Sequence, residues 1–184
     1  MKYFSPVTIF LFLIFSITAC NPKNDLESIG KLEQSLREAN YNQATDTVVS
    51  PKVKQQAEKL ILAYQSYAKE NTVSEISADF LCKAAGLAEL YSDSLSESMK
   101  IYKQIVEEYP ATQAEMQALH RLGYLYKYRL HQPDEALKYY EIFVQKYPFT
   151  TQSMEIKQII DSLKNGAMPL SHRSVFSYNS LFYA

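Results

Sequence analysis

The sequence predicts an all-α protein, a right-handed solenoid of roughly seven helices arranged as antiparallel pairs. Three observations lead to this fold class. One helix-pair pattern is written twice between residues 78 and 150, apolar residues recur at helical spacing, and only 4 glycines occur in 184 residues. Repeats of about 20 to 50 residues are typical of stacked architectures whose units bury their apolar faces against their neighbours.

The two copies of the pattern end in the same way. Tyr147-Pro148 follows Tyr109-Pro110 by 38 residues. At that offset the matching pairs are Leu81 with Leu119, Tyr102 with Tyr140, Val106 with Val144, and Thr112 with Thr150. We therefore predict repeats at 78–112 and 116–150, preceded by a degenerate copy at about 40–74 in which Asn71-Thr72 replaces the Tyr-Pro ending.

Each copy is predicted to hold two helices, called here helix A and helix B. Ser50-Pro51 and Pro133 mark helix starts, because proline is tolerated at the first helical position. Tyr109 and Tyr147 mark helix ends, because the residue before a proline disfavours the α conformation. The predicted helices are 25–39, 51–70, 75–91 (A), 95–108 (B), 113–130 (A), 133–146 (B) and a capping helix at 151–164, within a helical domain spanning 25–166.

The N-terminus carries an export signal. Lys2 precedes an apolar run at 7–17, which is typical of a secretory signal peptide. The following Ile17-Thr18-Ala19-Cys20 resembles the bacterial lipobox. The resemblance implies a signal peptide at 1–19, a lipid on Cys20 and a tether at 20–24, hence an outer-membrane lipoprotein on the periplasmic face. An ordinary secretory signal, with Cys20 incidental, is the alternative, and a position on the cell surface stays open.

Composition excludes several functions. Nineteen basic and twenty acidic residues give a net charge of −1, without the basic stripe that nucleic-acid binding requires. The chain has three histidines and no HExxH, CxxC pair, GxSxG or glycine-rich phosphate loop, so we expect no enzyme, no catalytic residues and no cofactor. Cys82 is expected to be a buried apolar residue, and Cys82 with His120 would make only an incomplete metal site.

The second copy resembles the tetratricopeptide repeat. The matching residues are Leu122, Gly123 and Tyr126 in helix A and Ala136, Tyr140 and Pro148 in helix B. The small residue at Gly123, or Ala85 in the first copy, is expected to allow close approach of the paired helices. The longer period and the Tyr-Pro-x-Thr endings resemble the subgroup of bacterial envelope lipoproteins that includes BamD and YbgF, and small repeat lipoproteins of Bacteroidetes. BamD-like proteins carry more repeats than this chain has room for, so the small repeat lipoproteins of Bacteroidetes are the more similar of the two groups.

The resemblance also implies a binding groove, since helix A positions of such repeats face a concave surface. These positions are Gln117, His120, Tyr124, Lys127 and Tyr128, with Asp79 and Glu89, and Cys82, Gly86 and Leu90 beside them, from the preceding copy. A mixed polar and aromatic surface suits an extended peptide. The alternative is that these tyrosines pack in the core.

These observations predict a non-enzymatic, membrane-anchored adaptor that binds a peptide segment of another envelope protein, in outer-membrane protein assembly or envelope maintenance. The alternative function is an accessory lipoprotein that binds a glycan or small solute. The segment 167–184 contains Val175, Phe176, Tyr178, Leu181 and Phe182 without helical periodicity. Packing on the helical stack, docking to a partner and disorder are its three open interpretations.

Overall fold

A computed structural model describes residues 22–41, 49–72 and 75–165. These residues form seven α-helices and no strand: α1 Pro22–Tyr41, α2 Pro51–Glu70, α3 Glu75–Tyr91, α4 Leu95–Glu108, α5 Gln113–Tyr124, α6 Pro133–Lys146 and α7 Thr151–Asn165. A π-helical turn, Leu125–Arg129, continues α5. The fold is an all-α helical-repeat solenoid, as predicted. The predicted signal peptide, Cys20, residues 42–48, residues 73–74 and the 167–184 segment lie outside the described residues.

The first helix differs from its prediction at both ends. It begins at Pro22 and ends at Tyr41, whereas apolar spacing predicted 25–39. The first turn of α1 overlaps the predicted tether at residues 22–24, because proline is preorganised for a first helical turn that carries no apolar signal. The bounds predicted for α2, α3 and α4 are confirmed. None of the described helices has the length and apolar content needed to span a bilayer.

The 38-residue period governs where helices begin and end. The A helices α3, α5 and α7 begin at residues 75, 113 and 151, and α2, α4 and α6 end at residues 70, 108 and 146. The residues that follow these ends, Asn71, Tyr109 and Tyr147, share φ between −119° and −126° and ψ between 55° and 57°. Asn71 thus takes the same backbone conformation as the two tyrosines that precede proline. Helix α7 begins at the position that the period gives for the next helix A.

The core repeats with the same period. Tyr64, Tyr102 and Tyr140 are 2%, 2% and 1% exposed, one from each B helix. In the last pair, a Cβ built on Gly123 would lie 2.5 Å from Cε1 of the Tyr140 ring. The close approach of helix A and helix B at Gly123 is therefore confirmed, and it depends on the missing side chain.

The A helices run parallel along one face of the solenoid. The last turns of α1 and α3 meet where Asn40 Nδ2 donates to Tyr91 Oη at 3.0 Å. In α3 and α5, the Cys82 thiol donates to Gln117 Oε1 at 3.0 Å. Consecutive helices of the chain pack against each other, and α3 also contacts α5. The face formed by α1, α3 and α5 is therefore continuous from unit to unit.

The Tyr-Pro-x-Thr endings act as caps. Thr112 Oγ1 donates to the Tyr109 carbonyl at 2.7 Å and accepts the Glu115 N–H at 3.1 Å. Thr150 repeats this arrangement with Tyr147 and Ser153, both at 3.2 Å. A threonine that caps the next helix A and also bonds the end of helix B fixes the angle between them. The endings are thus structural joints between units.

A buried polar residue occupies the third position of each later A helix. Ser77, Glu115 and Ser153, spaced by 38 residues, are all fully buried. The Ser77 hydroxyl donates to the Asn71 carbonyl at 2.6 Å, and the Ser153 hydroxyl donates to the Tyr147 carbonyl. In each of these units the side chain reaches back to the end of the preceding B helix.

Glu115 makes the largest of these networks. Its carboxylate accepts the Ala111 N–H at 2.7 Å and the Tyr147 hydroxyl at 2.6 Å, and it pairs with Lys146. Ala111 adopts a φ of 63°, in the left-handed region. Burial alone raises the pKa of Glu115, but the hydrogen bonds from Lys146, Tyr147 and Ala111 outweigh it, so the net pKa is lowered.

Candidate functional site: a groove between two A helices

A groove of about 340 Å³ opens between α3 and α5. Fully buried Tyr102 and Phe143, from the B helices, form its floor. Gln113 and Gln152 line it near the starts of α5 and α7, and Leu90 lines it near the end of α3. The groove therefore follows the direction of the A helices, and its volume lies in the range of small ligand sites.

Most of the residues predicted for the concave surface line this groove. Asp79 and Glu89 of α3 and Gln117 and His120 of α5 are among them, together with Cys82, Gly86 and Leu90. The predicted residues Tyr124, Lys127 and Tyr128 are not. The resemblance to the tetratricopeptide repeat implied one face for all of these residues, and the structure brings only the first set together around the opening.

Tyr124, Lys127 and Tyr128 instead contact each other at the π-helical turn. The two tyrosine rings lie 4.9 Å apart between centroids. The Arg121 guanidinium lies 4.8 Å from the Tyr124 ring, and Lys127 Nζ lies 4.7 Å from the Tyr128 ring. Lys127 and Tyr128 lie within the π turn, which changes the direction of their side chains relative to an α-helix, whereas Tyr124 is the last residue of α5 and precedes it. The three residues form a half-buried cation–aromatic cluster beside the groove.

The sequence did not single out the ion pairs that link successive A helices. Arg121 of α5 pairs with Glu89 of α3, with Nε 3.2 Å from Oε2. Lys83 of α3 lies 3.8 Å from Glu33 of α1. Lys83 and Arg121 are 38 residues apart, so two basic residues at the repeat period could have indicated these ion pairs. Because Lys83 also lies 3.5 Å from Asp79, both cations in the groove have a carboxylate partner.

The thiol and imidazole in the groove are uncharged at neutral pH. Burial raises the pKa of Cys82 to about 12, with a smaller contribution from Asp79. Burial and the nearby charge of Arg121 lower the pKa of His120 to about 4. A nucleophilic cysteine requires a thiolate stabilised by its surroundings, which is the reverse of what surrounds Cys82. These groups present neutral hydrogen-bonding surface.

We expect Cys82 to resist alkylation in the folded protein. In a Cys20→Ser background, where Cys82 is the remaining thiol, iodoacetamide at pH 8 should label it only as fast as the chain opens. The reason is that the thiol is both buried and protonated. Mass spectrometry with and without urea measures this. Rapid labelling without urea at the rate of a free thiol would contradict the assignment of Cys82 to the packed wall.

The described residues hold no group of three or more histidine, cysteine, aspartate or glutamate side chains placed to bind a metal ion. The groove lining within those residues is instead composed of amides, paired charges, one thiol, one imidazole and apolar side chains. What this arrangement offers a ligand is hydrogen bonding along its walls and apolar contact at its floor and at Leu90.

In a comparison with known families, residues 117–150 match the tetratricopeptide repeat family. The matched segment contains most of α5, the π-helical turn and α6. Comparison with curated proteins and with solved structures gives no match. Proteins with this repeat are generally non-enzymatic scaffolds that bind other proteins. The chain is thus a helical-repeat protein that carries a tetratricopeptide repeat at residues 117–150.

Proposed function

We propose that this protein is a non-enzymatic adaptor of the cell envelope that holds an extended peptide segment of another envelope protein in the groove between α3 and α5. The observation that carries the proposal is Leu90, which lines the groove and is 61% exposed. A large apolar side chain open to water beside an apolar floor loses contact with water when a ligand covers it, which stabilises the complex.

The groove chemistry favours an uncharged occupant. Arg121 and Lys83 are already paired with carboxylates, so a charged ligand would have to compete with Glu89 or Asp79. Gln113, Gln117 and Gln152 present amide groups that can both donate and accept. An extended peptide backbone offers N–H and C=O groups that match such amides. The proposed ligand is therefore an extended segment with aliphatic or aromatic side chains.

The N-terminal sequence supports an envelope location. The proposed lipid on Cys20 would hold the protein at the outer membrane, with the solenoid on the periplasmic side. Two or three acyl chains anchor a protein stably, whereas one alone binds marginally. The resemblance of the Tyr-Pro-x-Thr endings to BamD-like lipoproteins agrees with a role in outer-membrane protein assembly or envelope maintenance. Mass spectrometry of the N-terminal peptide from membranes tests the lipid.

The groove proposal is tested with two substitutions of matched exposure. Leu90→Asp adds a charge to the groove, and Leu62→Asp adds the same charge to α2, where Leu62 is 64% exposed. We expect Leu90→Asp to reduce recovery of a co-purifying envelope protein at least tenfold, which corresponds to about 1.4 kcal/mol. Leu62→Asp should leave recovery unchanged. Equal recovery with both variants, or no co-purifying protein with the native chain, would argue against the proposal.

A glycan or small solute is the alternative occupant, and the same variants address it. A saturating small ligand raises the melting temperature, because it binds only the folded state. A saccharide that stabilises the native protein and the Leu62→Asp variant, but not Leu90→Asp, would replace the peptide proposal. Absence of any such shift across a saccharide panel is the expected result.

A further inference from the structure

We infer that the groove between α3 and α5 takes the C-terminal segment of this same chain, residues 172–184, as an intramolecular ligand. The inference rests on the groove described under the proposed function, and it names a second occupant that competes with the envelope partner. Chain reach, side-chain chemistry and the paired charges of the groove support it.

The segment has the chemistry that the groove favours. Between residues 166 and 184, His172 and Arg173 are the only basic side chains and no acidic side chain occurs. The apolar side chains that follow are Val175, Phe176, Tyr178, Leu181, Phe182 and Tyr183. Such a load of apolar side chains finds little favourable contact in water. The groove complements this segment, because Leu90 is exposed and the lysine and arginine of the groove are paired with carboxylates.

The reach of the chain also fits. Since the A helices are parallel, α7 ends at the edge of the solenoid where α3 ends and where Leu90 lies. Contacts between helices run from α7 to α6, from α6 to α5 and from α5 to α3. At about 8–10 Å per packed pair, these three steps cover at most about 30 Å. An extended chain advances about 3.3 Å per residue, so about nine residues span that distance, and residues from about 174 onward reach Leu90 when counted from Asn165.

The groove is long enough for a short run of these residues. From Asp79 to Leu90, α3 rises about 16 Å at about 1.5 Å per residue. That length accommodates about five extended residues. A tethered ligand of this kind acts at an effective concentration of about millimolar, so even a weak contact is occupied. Occupancy by the segment lowers the apparent affinity of the groove for an envelope partner until that partner displaces it.

The inference is tested by photo-crosslinking in the purified full-length chain, where no other protein is present. A benzophenone amino acid is placed at residue 90, which is 61% exposed, and in a control chain at residue 62 of α2, which is 64% exposed. After irradiation, mass spectrometry should find crosslinks from residue 90 to peptides within 172–184. Residue 62 should give at least tenfold fewer. No crosslink to 172–184 from residue 90, or equal yields from both positions, would overturn the inference.

Two further measurements separate the possible outcomes. In a mixture of isotope-labelled and unlabelled chains, the crosslinks should join peptides of the same label, whereas mixed pairs would overturn the intramolecular assignment. A Phe176→Asp, Phe182→Asp double variant should lose the residue 90 crosslinks and should recover the envelope partner better than the native chain. If the crosslinks are absent while Leu90→Asp still loses its partner, the inference fails and the proposed function stands.

Discussion

Replacing Glu115 with alanine is expected to lower the free energy of unfolding by about 3 kcal/mol, the scale for removing a fully buried carboxylate that accepts several hydrogen bonds. The substitution leaves the Ala111 N–H and the Tyr147 hydroxyl without their acceptor. It also removes the joint between the segment after α4, the start of α5 and the end of α6, since Glu115 contacts Ala111, Lys146 and Tyr147. Urea unfolding followed by circular dichroism measures the change.

The control for Glu115 is Glu107→Ala, because Glu107 is an exposed glutamate of α4. We expect a change within about 0.5 kcal/mol for that surface substitution. Equal effects of the two substitutions would show that the Glu115 network does not stabilise the solenoid.

The contribution of Glu115 should also depend on pH. Its pKa in the folded protein is lowered, so the stability it supplies is present above the unfolded pKa of about 4.3 and is lost as the pH falls through the folded pKa. The native protein should therefore exceed Glu115→Gln in stability most at neutral pH. The difference should shrink in urea titrations below about pH 4. A difference that grows as the pH falls has the wrong sign for this assignment.

Gly123→Ala is expected to destabilise the protein by about 2 kcal/mol, although alanine favours helices by about 1 kcal/mol over glycine. The new Cβ would meet the Tyr140 ring at 2.5 Å, closer than carbon atoms approach each other. Tyr140 is 1% exposed, so its ring has no open space into which to move. The paired helices must separate, and the core around Phe143 and Leu122 loosens with them. Thermal unfolding reports the loss.

Gly30→Ala is the matched control, since it makes the same substitution within a helix. Nothing lies within 4 Å of a Cβ built on Gly30. Only the helix propensity then changes, and we expect a gain of about 0.5 to 1 kcal/mol. The two substitutions should thus shift the melting temperature in opposite directions. A gain for both would mean that α5 and α6 are not held together at Gly123.

The sequence predicted the features that repeat locally. Tyr109-Pro110 and Tyr147-Pro148 set the period and the helix ends, because proline acts on the residue next to it. Gly123 predicted a close approach of two helices, because glycine destabilises a helix and is expected inside one where a larger side chain would not fit. Four of the seven residues predicted for the groove line it, namely Asp79, Glu89, Gln117 and His120. These positions followed from the resemblance to the tetratricopeptide repeat, in which one face of helix A lines the concave surface.

The remaining features depend on geometry that spacing does not carry. In the sequence, Glu115 is an ordinary acidic residue in the first turn of a helix. Its burial depends on contacts with Lys146 and Tyr147, which are 31 and 32 residues later in the chain. The floor residues Tyr102 and Phe143 belong to B helices, so they are not among the helix A positions predicted for the groove. Lys127 and Tyr128 lie outside the groove lining and within a π turn, for which the sequence has no periodic signal.

We propose that the groove between α3 and α5 binds an extended, uncharged segment of another envelope protein. Photo-crosslinking in intact cells, with a benzophenone amino acid at residue 90 or residue 62, tests it most directly. We expect the adduct from residue 90 to map to one short aliphatic or aromatic segment of an envelope protein, and we expect little adduct from residue 62. Equal adducts from both positions, or a residue 90 adduct that maps to a highly charged segment, would contradict it.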